Sequence, residues 1–450
     1  MKKFKKEFLI ILNNQRGVAL MLIMTSIIIL MAIYSEFTFD SKISRIKATN
    51  ILDRSQAKLL ADSGLQLAMA RLRLYKEAFN LLQSNATAKA NVKPQLLNQL
   101  WEVPFMFPIP VGKGANRAFL DTVEKFQKET FLEGQMKVTI QNISNRMNLN
   151  LLRLSLMKQT VTDVNDPAFQ DPNSTLDMSA TAIQSDVSVD QSLFFLLKRL
   201  VDDKKEQDEA FEDRYANLSY QDMVTSLKFF ISDYMSMNSD PLAAEAEQTY
   251  ERIPLAPKYG PMGSSSELYM IPGWNDELIE LIQNEFSVYP AAQIDLNKLT
   301  ANMLRIIIPN ITDESIQDFF EYRDDPENPK FFNTVEDFKK YVVDQARLMA
   351  DQAFKERIAL FNQKGVTFGS NPNLFKVVAE GTMNRSVYTL VAYVVIPIKE
   401  NAGANPPANN NNNTTPPASN PPANNNNTPA TNPDSATQLL EPRVIEIQIN

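Results

Sequence analysis

The hydrophobic pattern near the N-terminus predicts one long helix that passes through two different surroundings. Residues 18–34 are apolar except for Thr25 and Ser26. This length is close to the minimum that crosses a bilayer once. Neither glycine nor proline occurs from Val18 to Ser63, so we expect the same helix to continue beyond the apolar run.

Farther along, the apolar residues take the spacing of a helix that covers a protein core. They alternate in steps of three and four residues, at Leu65, Ala68, Leu72, Tyr75 and Phe79. We therefore expect the helix between residues 35 and 83 to pack on its own globular domain, with a bend at Gly64. Residues 84–111 contain four prolines and are predicted to be a loop.

The rest of the chain combines a few strands with a block of helices. Alternating polar and apolar residues predict strands at 134–141, 374–380, 387–396 and 441–449. Between the first and second of these strands, a polar connector at 162–190 precedes apolar spacings that predict helices. Those helices are expected at 191–201, at 220–230, at 276–286, after Thr312 and, as a long helix, after Thr334.

One low-complexity segment interrupts the last hairpin. Residues 401–433 contain 13 Asn and 8 Pro and no charged residue. Such a segment buries too little apolar area to offset its ordering entropy, so we predict a disordered loop there.

Composition excludes several kinds of chemistry. The chain has no cysteine and no histidine, which rules out disulfides and any Ser-His-Asp or Cys-His site. The formal net charge is −8, and the first 17 residues hold five basic residues against one acid, so the remainder carries −12. A nucleic-acid surface is not expected on so acidic a chain.

The order of the N-terminal segments points to a particular kind of processing. A basic leader ends at Arg16 and Gly17, directly before the apolar run. A secretory signal is cut after its apolar region. This order resembles the class III signal of type IV pilins and pseudopilins, in which a prepilin peptidase cleaves after the glycine, here between Gly17 and Val18. An ordinary signal-anchor preceded by Arg-Gly is the alternative.

The fifth residue after that cut is informative because it is Leu22, where most pilin-like subunits carry Glu. A carboxylate in hydrocarbon needs a partner, and in these filaments it is thought to meet the N-terminal amine of the subunit ahead. A tip subunit has no subunit ahead. The missing Glu, the chain length and the phrases at 143–150 and 294–300 together resemble the K-type minor pseudopilins of the type II secretion system. Asn145, Arg146 and Met147 depart from that family's pattern.

The resemblance implies an α+β, pilin-like fold: a long N-terminal transmembrane helix and a small antiparallel sheet, with a large inserted all-α domain that contains a helix-hairpin-helix-like (SAM-like) segment. The implied divisions are a prepilin leader (1–17), the transmembrane (18–34) and periplasmic (35–83) parts of the helix, a loop with the first part of the α/β domain (84–161), the insert (187–365), and the C-terminal strands (373–450) with a disordered loop at 400–438.

The resemblance also implies a non-enzymatic role. The chain would cap the tip of the pseudopilus and help to initiate its assembly, in support of protein export across the outer membrane. Implied partners are the I-type and J-type minor pseudopilins, the major pseudopilin, the inner-membrane secretion platform and prepilin peptidase, with no nucleic acid. The chain would be N-methylated after cleavage. It would span the inner membrane once, with its lysine-rich N-terminus cytoplasmic and its bulk periplasmic, before reaching the pseudopilus tip.

A cation site is also implied by the resemblance. The segment at 231–240 is similar to a family region associated with calcium, and Asp233, Asp240 and Glu245 are the candidate ligands. Carboxylate oxygens on a flexible loop suit a hard cation. Solvated loop acids and helix-cap acids are the alternative for these residues.

Two other functions use the same features. A minor pilin of a type IV pilus would share the leader. A membrane-anchored DNA-uptake protein would use the helix-hairpin-helix-like segment, whose hairpin grips phosphate with the backbone amides of a glycine-containing turn. Here the turn is Pro309-Asn310-Ile311, without glycine, and Asp313 and Glu314 would face the phosphate.

Overall fold

The computed structural model describes residues 15–85, 94–110, 116–130, 132–153, 178–237, 243–252, 256–289, 293–309, 311–363, 366–399 and 438–449. The predicted leader and the predicted Asn/Pro loop lie outside these residues, except for Gln15, Arg16 and Gly17 at one end and residue 438 at the other.

The first element is a continuous helix of 70 residues, α1 (Gln15–Ser84). Its distal half buries one stripe against the sheet, at Ala57, Ala61, Ala68, Leu72 and Tyr75. The predicted helix and its core-facing stripe are therefore confirmed. Helix α1 is unbroken at Gly64, and the bend expected there stays a prediction.

The sheet has five strands in the order β1-β2-β7-β8-β11, all paired antiparallel. The strands are β1 (Phe105–Phe107), β2 (Gln135–Asn142), β7 (Leu374–Met383), β8 (Ser386–Val395) and β11 (Arg443–Ile449). The four predicted strands are confirmed, and β1 is an addition. Helix α1 lies mainly across β2, β7 and β8.

Two glycines allow α1 to approach the sheet closely. A Cβ at Gly381 of β7 would lie 2.1 Å from the carbonyl oxygen of Ala57, and one at Gly64 would lie 2.9 Å from Val138 Cγ2. Since real Cβ atoms do not come so near to other atoms, these positions have to be glycine for the helix and sheet to pack at this distance.

The remaining helices are shorter than α1 and lie mostly between β2 and β7. They are α2 (Pro94–Glu102), α3 (Arg117–Glu129), α4 (Met178–Gln207), α5 (Glu209–Tyr215), α6 (Tyr220–Ile231), α7 (Tyr234–Met237), α8 (Ala243–Glu251), α9 (Asp276–Ile282), α10 (Ala301–Ile307), α11 (Asp313–Arg323), α12 (Val335–Lys339) and α13 (Asp351–Gln363). Helices α4 to α13 and the segments between them bury a second core, which also takes in residues 143–152 and 366–374 and so extends beyond the predicted insert of 187–365.

Short parallel strand pairs tie this helical region together. β3 (Met147–Asn148) pairs with β4 (Phe286–Ser287), and β5 (Gln293–Asp295) pairs with β6 (Thr367–Gly369). A third small pair, which is antiparallel, joins β9 (Ile398–Lys399) to β10 (Gln438–Leu439). In each of the two parallel pairs, the chain between the first strand and the second forms helices.

Four local expectations need correction. The predicted loop at 84–111 contains α2 and β1, because Leu97, Leu100 and Trp101 give α2 an apolar face. Helix α3 was not predicted. In the predicted connector at 162–190, helix α4 begins at Met178. The long helix expected after Thr334 is interrupted, since α12 passes into a π-helical turn, Lys340–Gln345, before α13.

The fold class is as predicted: a long N-terminal helix on a small antiparallel sheet, with a large helical region inserted between two neighbouring strands. The side chains of Asn275 and Thr312 cap the starts of α9 and α11, and a capping box from Ser264 to Glu267 begins a 3-10 helix.

Gly381→Ala tests the close contact between α1 and the sheet. The new methyl group would collide with backbone atoms of α1, so we expect the free energy of unfolding to fall by about 2 kcal/mol or more. The measurement is urea unfolding of the full chain in non-ionic detergent, followed by circular dichroism. Gly260→Ala is the control, because its nearest neighbour would be 3.9 Å away. Equal stability of the two variants would contradict the steric account.

Candidate assembly surface and domain junction

The proximal part of α1 presents an unbroken apolar surface. Every residue from Gly17 to Tyr34 is exposed, and the segment has a mean hydropathy of 2.5 over 18 residues. It is long and apolar enough to cross a membrane, and such a helix is consistent with single-pass anchoring. Leu22 lies in this surface with 63% of its area exposed.

The polar side chains within this segment are satisfied by the helix itself. Thr25 Oγ1 donates to the carbonyl oxygens of Met21 and Leu22, and Ser26 Oγ donates to that of Leu22. No Asp, Glu, Lys or Arg occurs between Gly17 and Tyr34. The segment therefore brings no unpaired polar group into a hydrocarbon environment.

The predicted cleavage position lies in the first turns of α1. A Cβ at Gly17 would meet no atom within 4 Å, in contrast to Gly64 and Gly381. Packing therefore does not explain this glycine, and the cleavage between Gly17 and Val18 stays a prediction.

The candidate calcium ligands do not form a complete site among the described residues. Asp233 forms an ion pair with Arg153 at 2.8 Å, and the Arg153 Nε donates to the carbonyl oxygen of Ile231. Glu245 is in the exposed first turn of α8, and Asp240 lies outside the described residues. The described part of the chain holds no group of three or more acidic residues placed for a metal ion. Since calcium takes six to eight oxygen ligands, these residues alone do not fit it, and the cation stays a prediction.

The helix-hairpin-helix-like segment consists of α10 and α11. Asp313, at the start of α11, pairs with Arg305 and, at 3.6 Å, with Arg199. Glu314 follows it in the same turn. The two carboxylates occupy the helix terminus where a nucleic-acid phosphate would have to approach, and they would repel it.

A buried polar cluster joins the helical region to the sheet. Ser144, at the end of β2, accepts hydrogen bonds at Oγ from the backbone N–H groups of Asn373 and Leu374, at 2.9 and 2.8 Å. The Asn373 side chain donates to the carbonyl oxygen of Gln293 in β5. Three chain segments, one entering the helical region, one within it and one leaving it, are thus held together by side chains with no exposed surface.

Asp295 is the charged member of this junction and is only 3% exposed. It accepts from Asn142 Nδ2 at 2.8 Å and from the Asn297 N–H at 3.0 Å. Burial raises its pKa to about 6, against the opposing effect of these hydrogen bonds. The sequence phrase at 294–300 contained Asp295, but nothing in the sequence indicated that Asn142 would meet it.

The two Asn-containing phrases have the same local structure. Asn148 Oδ1 accepts from the N–H of Asn150, as Asp295 Oδ1 does from Asn297. The last Asn of each phrase then bonds a distant backbone: Asn150 bonds the N–H and C=O of Met262, and Asn297 bonds those of Phe332. The phrases are therefore structural anchors of the helical region.

No family model and no curated protein matches the chain. Among solved structures, it is similar to a chain of the GspK–GspI–GspJ complex of the type 2 secretion system from enterotoxigenic Escherichia coli. The identity is 18% and the TM-score 0.43, over 76% of this chain and 94% of that chain. Because the identity and the TM-score are low, the role of this chain has to be inferred from its own residues and geometry.

Asp295→Asn tests the cost of burying this carboxylate. The pKa of Asp295 is about 6 in the folded protein and 3.8 in the unfolded chain. The contribution of this carboxyl group to stability therefore falls as the pH rises from about 4 to about 6. That pKa difference corresponds to roughly 3 kcal/mol. We expect the free energy of unfolding of the variant, relative to the unmodified protein, to rise by up to about 3 kcal/mol between about pH 4 and pH 7.

The measurement is urea unfolding of the full chain in non-ionic detergent at a series of pH values. Asp121→Asn, on the exposed surface of α3, controls for the loss of one carboxylate. If the difference in unfolding free energy between Asp295→Asn and the unmodified protein does not change across this pH range, the Asp295 carboxyl group keeps its usual pKa and the prediction is wrong.

Proposed function

We propose that this chain is a K-type minor pseudopilin of a type II secretion system, which caps the tip of the pseudopilus and helps to initiate its assembly. The observation that carries the proposal is the division of α1. Its first part, residues 17–34, is uncharged, mostly apolar and exposed, whereas its distal half is fixed to an antiparallel sheet. A subunit built this way can stay in the membrane until its apolar half packs against the helices of other subunits.

The lack of a charged residue between Gly17 and Tyr34 supports the tip position. A carboxylate at residue 22 would need an amine from a subunit ahead of it, whereas Leu22 needs none. A terminal subunit has no subunit ahead of it, so Leu22 suits that position.

The helical region supports the same position on steric grounds. It is inserted between the neighbouring strands β2 and β7 and exceeds the helix–sheet unit in residues. One such head is tolerated at the end of a filament but would crowd its neighbours if every subunit along the filament carried it. The role requires no catalytic residue.

The proposed partners follow from this position. The I-type and J-type minor pseudopilins would surround the apolar half of α1, and the major pseudopilin would follow below. The inner-membrane platform would hold the complex before assembly, and prepilin peptidase would remove the leader. Gly17 supports that step, since no packing contact requires glycine there. The leader's basic residues would keep the N-terminus cytoplasmic and the bulk periplasmic.

The mature N-terminus provides the first test. Intact mass spectrometry of the chain, from cells with and without prepilin peptidase, should give an N-methylated protein that begins at Val18 only when the peptidase is present. Gly17→Val should block the cut without affecting the fold, because the space around Gly17 is open. A chain that keeps its leader in both strains, or is cut after residue 33, would contradict the proposal.

Leu22→Glu tests the tip position. With no amine ahead of it, the new carboxylate would cost about 3 kcal/mol in the apolar environment, so we expect less of the variant to copurify with co-expressed I-type and J-type subunits. Leu22→Ile is the matched apolar control and should copurify normally. If the Glu variant assembles as well as the control, residue 22 has an amine partner ahead of it, and the chain is not the tip subunit.

A further inference from the structure

A cavity of about 430 Å³ lies where the helical region meets the outer face of the sheet. This volume is within the usual range of small-molecule sites. The sheet contributes Lys376 of β7, Tyr393 of β8 and Gln448 of β11, and the loop after β2 contributes Arg146. No predicted site residue lines it, and the proposed assembly role does not use it.

Two basic side chains share this cavity without a carboxylate partner. Arg146 donates from Nη1 to the carbonyl oxygen of Gln283 at 2.6 Å. Neither Arg146 nor Lys376 forms an ion pair with any residue in the described part of the chain, and the Lys376 side chain makes no hydrogen bond there. Burial lowers the pKa of both groups, and the charge of Arg146 lowers that of Lys376 further.

The carboxylates that act on this region electrostatically accept hydrogen bonds from neutral side chains, and Glu446 is bonded to two that line the cavity, Tyr289 and Gln448. Glu285 accepts a hydrogen bond from Thr300 Oγ1 at 2.7 Å. Glu446 accepts from Ser264 Oγ at 2.8 Å and from the Tyr289 hydroxyl at 2.7 Å. Both carboxylates stabilise positive charge nearby, but neither forms an ion pair with Arg146 or Lys376. The cavity therefore keeps two half-buried cations whose charge is not compensated by contact.

The rest of the lining is suited to an apolar body. Tyr289 and Tyr393 stack with their ring centroids 4.2 Å apart at the cavity wall. Its other apolar lining residues include Ile143, Leu149, Leu268, Ile282, Phe286 and Val391. The hydroxyl groups of Ser265, Ser266 and Ser287 add further hydrogen-bonding positions.

We propose that this cavity binds a small organic anion, whose carboxylate or phosphate group lies between Arg146 and Lys376 and whose apolar or aromatic body lies against the tyrosine pair. An anion would compensate both cations in a site of reduced dielectric constant, where charge-assisted hydrogen bonds are strongest. Because the ligand would touch the helical region and two strands of the sheet at once, it would also stabilise the junction between them.

The test uses the full chain in dodecyl maltoside micelles and 4-fluorobenzoate as the probe, with binding followed by the fluorine NMR signal. We expect saturable binding, competition by inorganic phosphate and a rise in melting temperature on binding. Lys376→Gln and Arg146→Gln should each weaken binding at least about fivefold, because each removes one charge from the site.

The controls separate this site from micelle partitioning and from general charge effects. Lys137→Gln changes a lysine that is exposed on β2 and does not line the cavity, and should bind the probe like the unmodified protein. The neutral probe 4-fluorobenzyl alcohol should not saturate. If circular dichroism shows that Arg146→Gln does not fold, the binding of 4-fluorobenzoate by Lys376→Gln alone tests the proposal. Absence of saturable benzoate binding, or unchanged binding by Lys376→Gln, would overturn the proposal.

Discussion

The close contact between α1 and the sheet is the constraint on which the rest of the molecule depends. A single helix has to be stable in hydrocarbon over one half and on a protein core over the other, and a helix can do so because its backbone hydrogen bonds are internal in both surroundings. The sheet therefore holds the apolar segment in place through the distal half of α1. Gly64 and Gly381 bring the helix and sheet near enough for small residues such as Ala57 and Ala61 to be buried completely. Larger residues at these positions would loosen the connection between the head and the apolar segment.

The inserted helical region raises a different difficulty, which the junction cluster addresses. Strands β2 and β7 pair directly, with Asn142 opposite Phe375, although roughly 230 residues separate them. Closing a flexible loop of that size would cost several kcal/mol in chain entropy. Here the loop is itself folded, and its ends are brought together by its own core. Ser144, at the start of the insert, accepts hydrogen bonds from the backbone of Asn373 and Leu374 at its end. The insert can therefore be large without separating β2 from β7.

Periodicity explains which parts of this fold could be predicted. The four predicted strands and the stripe on α1 have regular two-residue or three-to-four-residue spacings, and these elements are confirmed. Helix α2 was missed because prolines surround it, and α3 because few of its residues are apolar. The cavity cations could not be found from the sequence, because Arg146 and Lys376 are 230 positions apart and meet only through the pairing of β2 with β7. Asn142 of β2 and Asp295 of β5 are likewise far apart in the sequence, and their hydrogen bond joins the sheet to the helical region.

The junction between the sheet and the helical region contains two kinds of polar residue. Ser144 and Asn373 are buried, and their hydrogen bonds join chain segments that are distant in the sequence, so their role is structural. Arg146, in the loop after β2, and Lys376, in β7, have no such partner on the described chain for most of their side-chain donors. Two like charges held together where the helical region meets the sheet are unfavourable for folding unless something compensates them. The anion proposed for the cavity would supply that compensation at both side chains.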